Sequence, residues 1–309
     1  MKSSSEFLRR LRTCGLTVLI AALASSTAAP ASAAPAPSNS GPPERVSIVD
    51  PKATPRTTSL FAYLRSQQGK GILFGHQQDT EFGVTFPAES ADGFQSDVKA
   101  ATGEHPAVFG WDFGHEGYGS APGSPTPEEN FQHTVGLVKA ADKIGGIQTF
   151  SAHMDNFVTG GAFDDTDGGV VPRIMPGGDK NRAFTDYLDR VARIAKAAVD
   201  ENGEPIPIVF RPFHENAGSW FWWGAAHASS SQYIELFRYT VEYLRDTKEV
   251  HNFLYSYSPG GGFSGTSDVF LRTYPGDDFV DVLGYDNYDS SGGSQQWLDG
   301  LVADLGMIS

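Results

Sequence analysis

The sequence predicts an α/β fold in which parallel strands alternate with helices, and two observations predict it. Short apolar runs of strand length recur along the chain, with helix-spaced segments between them. At or just past the ends of these runs stand polar residues: His76, Asp112, His153, His214 with Glu215, and Asp286. A (β/α)8 barrel of the TIM type draws its functional residues from many strand ends at one face. A doubly wound sheet shares the alternation but concentrates function at one switch point, often beside a Gly-rich phosphate loop. No such loop follows the first run, so the barrel is the expected architecture.

Residues 1–33 stand apart from that pattern. Lys2, Arg9, Arg10 and Arg12 precede an apolar stretch from Cys14 to Ala24, and Ala31-Ser32-Ala33 closes the segment. This is the form of a signal peptide cleaved before Ala34, which predicts a secreted, extracellular protein. The apolar stretch is about half the length needed to cross a bilayer, so no membrane association is expected. Arg9-Arg10 leaves general and twin-arginine export both open. Residues 34–45 form an aperiodic Ala/Pro/Ser-rich leader, and 46–309 is expected to be one large barrel domain.

Cys14 is the single cysteine and leaves with the signal. The rest of the chain therefore has no disulfide, no thiolate-bound zinc and no thiol nucleophile. Residues 1–33 carry four of the 23 Lys and Arg and one of the 37 Asp and Glu, so the remainder has 19 basic and 36 acidic residues, a net charge of −17. Such a surface repels nucleic acid and anionic membranes but not a neutral polymer. Aromatic residues at 12% and 35 glycines suit loops that carry flat side chains, as a sugar-binding cleft does.

In chain order, the expected strands are 71–76, 107–112, 146–153, 207–211, 253–257 and 279–285. The first of them, Gly71-Ile72-Leu73-Phe74-Gly75-His76, reads as a buried strand. Helices are expected from Thr126-Pro127-Glu128-Glu129, where a capping residue, a proline and two acids suit a helix start. Further helices are expected over 181–200, 229–247 and 294–305.

The chemistry concentrates in Arg211-Pro212-Phe213-His214-Glu215-Asn216-Ala217-Gly218-Ser219-Trp220-Phe221-Trp222-Trp223. Here a buried strand delivers Arg, His and Glu together, and three tryptophans follow. Cleavage of a glycosidic bond needs a carboxylic acid beside the scissile oxygen and a flat apolar surface for the sugar. Taken singly, a tryptophan reads more readily as core packing and Glu215 could be an ion-pair partner, whereas the whole run at a strand end points to a sugar site. His76, His153 and His214 come from different strands without the local i, i+4 spacing of zinc hydrolases, so no metal and no cofactor is expected. The run Asp164-Asp165-Thr166-Asp167-Gly168-Gly169 is calcium-loop-like in composition but lacks the closing glutamate of an EF-hand, and is expected to be a solvated loop.

The segment around Glu215 resembles the acid/base motif of glycoside hydrolase family 26, whose best-known members are β-mannanases. Phe74-Gly75-His76-Gln77, Gly110-Trp111-Asp112, Ser151-Ala152-His153 with Asn156, and Asp281-Val282-Leu283-Gly284-Tyr285-Asp286-Asn287-Tyr288 resemble its other strand motifs, over roughly residues 58–305. The resemblance implies a retaining enzyme that cleaves β-1,4-mannosidic bonds in mannan, galactomannan or glucomannan and acts as a monomer. Glu215 would be the acid/base. His214 and His153 would line the subsite of the sugar under attack, and Trp220 would be an aromatic platform. Trp111, Asp112 and Asp286 would also contact substrate, and Tyr288 would hydrogen-bond the nucleophile. β-1,3-Xylan and mixed-linkage β-glucan are alternative substrates within the family, and a non-catalytic mannan-binding protein is the alternative outside catalysis.

The resemblance also implies a nucleophilic glutamate at the end of a seventh strand. The last glutamate of the sequence is Glu249, and beyond Tyr288 the only acids are Asp289, Asp299 and Asp304. The expectation is therefore a chain with about six of eight β/α units, truncated or frameshifted at its C-terminus and unable to run the double displacement.

Overall fold

The computed structural model describes residues 47–81, 83–86, 95–114, 126–260 and 267–288. They belong to the compact unit Val46–Ser309. The elements in order are α1 (Pro55–Gln67), β1 (Gly75–Gln77), α2 (Asp97–Thr102), β2 (Val108–Asp112), α3 (Pro127–Lys143) and β3 (Ile147–Ser151). They are followed by α4 (Val170–Ile174), α5 (Asn181–Ala197), β4 (Ile208–Arg211), α6 (Ser230–Glu242), β5 (Phe253–Tyr257), α7 (Ser267–Phe270) and β6 (Val282–Leu283). None of the described helices is long and apolar enough to cross a membrane.

Local chemistry sets the helix starts. Thr126 and Glu129 form a reciprocal capping box with Pro127 at the first position of α3, so two orphan N–H groups and the helix dipole are satisfied together. Ser229 and Gln232 do the same for α6. In α5, Phe184, Tyr187, Leu188, Val191, Ala192, Ile194 and Ala195 are buried, which is the apolar stripe of a helix packed on a sheet. The helix expected over 294–305 lies outside the described residues.

The six strands are all parallel and stand in the order β1-β2-β3-β4-β5-β6. Each strand therefore neighbours its predecessor with a helical crossover between, which is the wall of a (β/α) barrel. A doubly wound sheet would reverse its order once.

Because side chains alternate along a strand, register decides which residues share a face. Trp111, Phe150, Phe210 and Tyr255 lie in one row across β2, β3, β4 and β5. All are buried with Leu137, Val138, Leu188 and Phe237 of the surrounding helices. The opposite face carries Val209 and Leu254, closed by Phe61 of α1. Further along that face, at the strand ends, Asp112, Ser151 and Arg211 are register partners. The sheet thus ends in a polar row above an apolar layer.

The first strand departs from expectation. β1 is only Gly75–Gln77, and all three residues are exposed. Ile72, expected to be buried, is 95% exposed, and Phe74 is exposed as well. Among the described residues β1 pairs only with β2, so its other edge lacks the neighbour that would bury those side chains.

Candidate active site

The site is built on the loop that leaves β4. Phe213 and Glu215 both have left-handed backbone, with φ of 51° and 56°. For residues with a Cβ this costs about 1–2 kcal/mol each, and it persists only where the surroundings hold it. The Glu215 N–H donates to the Ser258 carbonyl at 2.8 Å and the Ala217 N–H to the Pro259 carbonyl at 2.8 Å, tying the loop to the end of β5. The Tyr233 hydroxyl donates to the Phe213 carbonyl at 2.9 Å. Gly260, with φ of 89°, packs so closely that a Cβ there would lie 3.0 Å from Glu215 Cα.

Held this way, Glu215 is 7% exposed and both of its carboxylate oxygens are engaged. Oε2 accepts the Trp220 indole N–H at 2.9 Å. Oε1 accepts the Tyr288 hydroxyl at 2.7 Å. Tyr288, expected to serve a nucleophile, therefore bonds the acid/base candidate itself. Trp220 is 50% exposed and Tyr288 is 84% exposed, so both present ring surface to solvent beside the carboxylate. The Trp220 ring lies over Gly218, where a Cβ would overlap it at 2.3 Å.

The other two tryptophans of the run are core residues. Trp222 and Trp223 are fully buried. Their indole N–H groups donate to the carbonyls of Met154 and His214, both at 2.8 Å. Trp111 is a core residue too, which corrects its expected role as a substrate contact: it is 2% exposed and packs on Phe109 and Phe150. Alternation on β2 turns Trp111 toward the helices and Asp112 toward the opposite face.

Asp112 meets the cleft residues through histidine. Its Oδ1 accepts the backbone N–H groups of Gly114 at 2.6 Å and His153 at 2.9 Å. Its Oδ2 accepts the Ser151 hydroxyl and is bonded to His153 Nδ1, both at 2.6 Å. Burial opposes the charge on this carboxylate. The hydrogen bonds with His153 and Ser151 outweigh it and hold the group well below the usual carboxylate range. With three donors and the His153 ring nitrogen placed around it, Asp112 has no position left for a sugar, which corrects its expected role as a substrate contact.

His153 Nε2 lies 3.1 Å from His214 Nε2. The His214 side chain is buried, and its Nδ1 has no hydrogen-bond partner among the described residues. Burial, followed by the charge of Arg211, pushes His214 well below the usual imidazole range, so the ring is neutral. The His153 ring meets Phe163 and Phe221 edge-on. On the other side of the loop, Arg211 Nη1 donates to Asp286 Oδ1 at 2.7 Å, and the Ser258 hydroxyl donates to Asp286 Oδ2.

Ser258, Ser151, Phe221 and Gly260 belong to this assembly but were not singled out from the sequence. Ser258-Pro259-Gly260 directly after a strand was the available signal. Of the remaining candidates, His76 stands 3.7 Å from Asp79 at β1 and has no described bond to Glu215. Asn156 is structural: its amide donates to the carbonyls of Asp165 and Asp167 and its oxygen accepts the Val158 and Thr159 N–H groups. It thereby organises the acidic 164–169 loop. Asp289, Asp299 and Asp304 lie outside the described residues.

A buried strand-end carboxylate gripped by an indole and a phenol, with exposed rings alongside, can transfer a proton to an oxygen of a bound sugar. The family model for Glycosyl hydrolase family 26 matches residues 49–307. A mannan endo-1,4-β-mannosidase of Bifidobacterium adolescentis is 47% identical over 270 residues, covering 85% of this chain and 26% of that protein. Among solved structures, a double mutant of the Cellulomonas fimi endo-β-1,4-mannanase superposes with a TM-score of 0.78 at 55% identity, covering 86% of this chain and 59% of that one. The catalytic domain of the Bacillus sp. JAMB-750 family 26 endo-β-1,4-mannanase gives 0.77 at 44% identity, covering 84% of this chain and 68% of that one. The chain thus spans about a quarter of the Bifidobacterium relative and well under two thirds of the Cellulomonas chain.

Proposed function

Because the chain belongs to glycosyl hydrolase family 26, we propose that it acts on β-1,4-linked mannan, with Glu215 as the acid/base of a retaining hydrolysis. The relatives described above are named as mannanases, which supports mannan over xylan or mixed-linkage glucan. The observation that carries the role of Glu215 is its strand-end carboxylate, held in left-handed backbone and bonded by Trp220 and Tyr288. In the first step of such a hydrolysis Glu215 gives its proton to the leaving glycosidic oxygen while a carboxylate nucleophile bonds to the anomeric carbon as the glycosidic bond breaks. In the second, water displaces that carboxylate and gives its proton to Glu215. Trp220 stacks on a sugar ring, and His214 and His153 border the subsite of the sugar under attack. The segment 1–33 supports a secreted protein.

Retention requires a second carboxylate about 5–5.5 Å from the first. Among the described residues Asp112 has its lone pairs filled and Asp286 is paired with Arg211 and Ser258. With both of these carboxylates already engaged, a mannan-binding chain is the second reading.

Reducing-sugar release from mannan, together with calorimetric titration of mannotetraose, separates the two. Release by residues 1–309 that vanishes in Glu215→Ala supports hydrolysis. Binding without release supports the second reading, and neither binding nor release overturns both.

A further inference from the structure

We infer that Asp112 is a positioning residue that sets the tautomers of two histidines in series, His153 and then His214, and so fixes the hydrogen-bonding character of the residue next to Glu215. The inference rests on the proposed hydrolase reading for its consequence, but its geometry stands independently.

The starting point is the saturation of the carboxylate. Asp112 Oδ1 is occupied by two backbone N–H groups, which cannot change their donor character. Oδ2 accepts the Ser151 hydroxyl, and the remaining position faces His153 Nδ1. The side chain of Asp112 is only 5% exposed, so water does not compete for that position. A carboxylate with no proton of its own can only accept, so His153 Nδ1 must carry the hydrogen.

The consequence passes along the chain of contacts. The 3.1 Å contact between His153 Nε2 and His214 Nε2 needs one donor and one acceptor. With the His153 ring hydrogen on Nδ1, its Nε2 is the acceptor and His214 Nε2 the donor. His214 Nδ1 is then the atom without a hydrogen, and it is the atom that has no partner among the described residues. The opposite arrangement would put an N–H group there, and an unpaired buried N–H is the rarer and costlier defect. Three separate observations thus select one tautomer for each ring: the filled carboxylate, the short distance between Nε2 atoms, and the orphan Nδ1.

Asp112→Asn tests this because an amide cannot reproduce the pattern. Its NH2 group cannot face the two fixed backbone donors, so it must turn toward Ser151 and His153. The serine hydroxyl can rotate to accept. His153 can accept only by moving its hydrogen to Nε2, and His214 must then move its own to Nδ1. Both rings invert together.

The experiment is long-range 1H–15N correlation on the full 309-residue chain labelled at its eight histidines, with His153→Gln and His214→Gln for assignment. Wild-type protein is expected to show His153 with hydrogen on Nδ1 and His214 with hydrogen on Nε2, and Asp112→Asn to show both reversed. In protein that hydrolyses mannan, Asp112→Asn is expected to lower kcat by about 100-fold with KM little changed. Wild-type rings in the opposite tautomers, or rings unchanged in a folded Asp112→Asn variant, overturn the inference. Should Asp112→Asn fail to fold, Ser151→Ala removes a donor from the same oxygen and must leave both tautomers as in wild type; a reversal there overturns it equally. Failure of wild-type protein to hydrolyse mannan counts against the hydrolase reading alone, because the tautomers are read without turnover.

Discussion

The Tyr288 hydroxyl donates to Glu215 Oε1 across 2.7 Å, joining the end of β6 to the loop after β4. A hydrogen bond to a carboxylate contributes about 1.5–3 kcal/mol. Tyr288→Phe is therefore expected to lower mannan hydrolysis, or mannotetraose affinity if there is no turnover, by about tenfold or more. The ring is largely exposed, so the melting temperature should hardly move. Kinetics or calorimetry beside a thermal melt checks both halves.

The tryptophans divide by burial. Trp220→Ala removes an exposed ring and the bond to Glu215 Oε2, and is expected to cost sugar binding with little loss of stability. Trp222→Ala empties a fully buried site and orphans the Met154 carbonyl, for an expected loss of about 3–5 kcal/mol. Urea unfolding and sugar titration of the two variants should give opposite patterns.

The His214 ring makes the fold acid-sensitive. Its pKa is depressed in the folded protein, chiefly by burial, while the unfolded chain titrates near pH 6.5. As pH falls, the unfolded state therefore takes up the proton first. The stability that His214 contributes is present above about pH 6.5 and is lost below it, at up to about 1.4 kcal/mol per pH unit. Asp112, also depressed, adds a second loss below about pH 4. Melting temperatures measured from about pH 7.5 down to about pH 5 should fall in wild type and fall less in His214→Gln.

Arg211 and Asp286 are expected to behave as a unit. Both side chains are mostly buried, at 24% and 17% exposure, and they meet at 2.7 Å. Removing either one leaves the other charge without its partner, for an expected cost of about 3–5 kcal/mol. The Arg211→Met, Asp286→Ala double variant should cost no more than either single change. Denaturant unfolding of the three variants measures the coupling directly, and additive losses would contradict it.

Much of this protein was legible in its sequence because the relevant physics is local. Apolar runs bounded by turns located β2 to β5 within a residue or two, and Thr126-Pro127-Glu128-Glu129 announced a capped helix through contacts made within four residues. The placing of Arg211, His214 and Glu215 together at a strand end followed from the same patterning. Tertiary structure decided what depends on partners far away along the chain. Among the described residues β1 has one neighbour, β2, and Ile72 is exposed although its run of residues reads as buried. Register turned Trp111 to the helices and Asp112 to the opposite face, and three donors and the His153 ring nitrogen then filled the Asp112 carboxylate. Anchors at Ser258 and Tyr233 hold Phe213 and Glu215 in left-handed backbone, a conformation their residue types disfavour. Periodicity and capping are properties of neighbours in sequence, whereas strain, lone-pair occupancy and the partner of a hydroxyl exist only once distant segments have met.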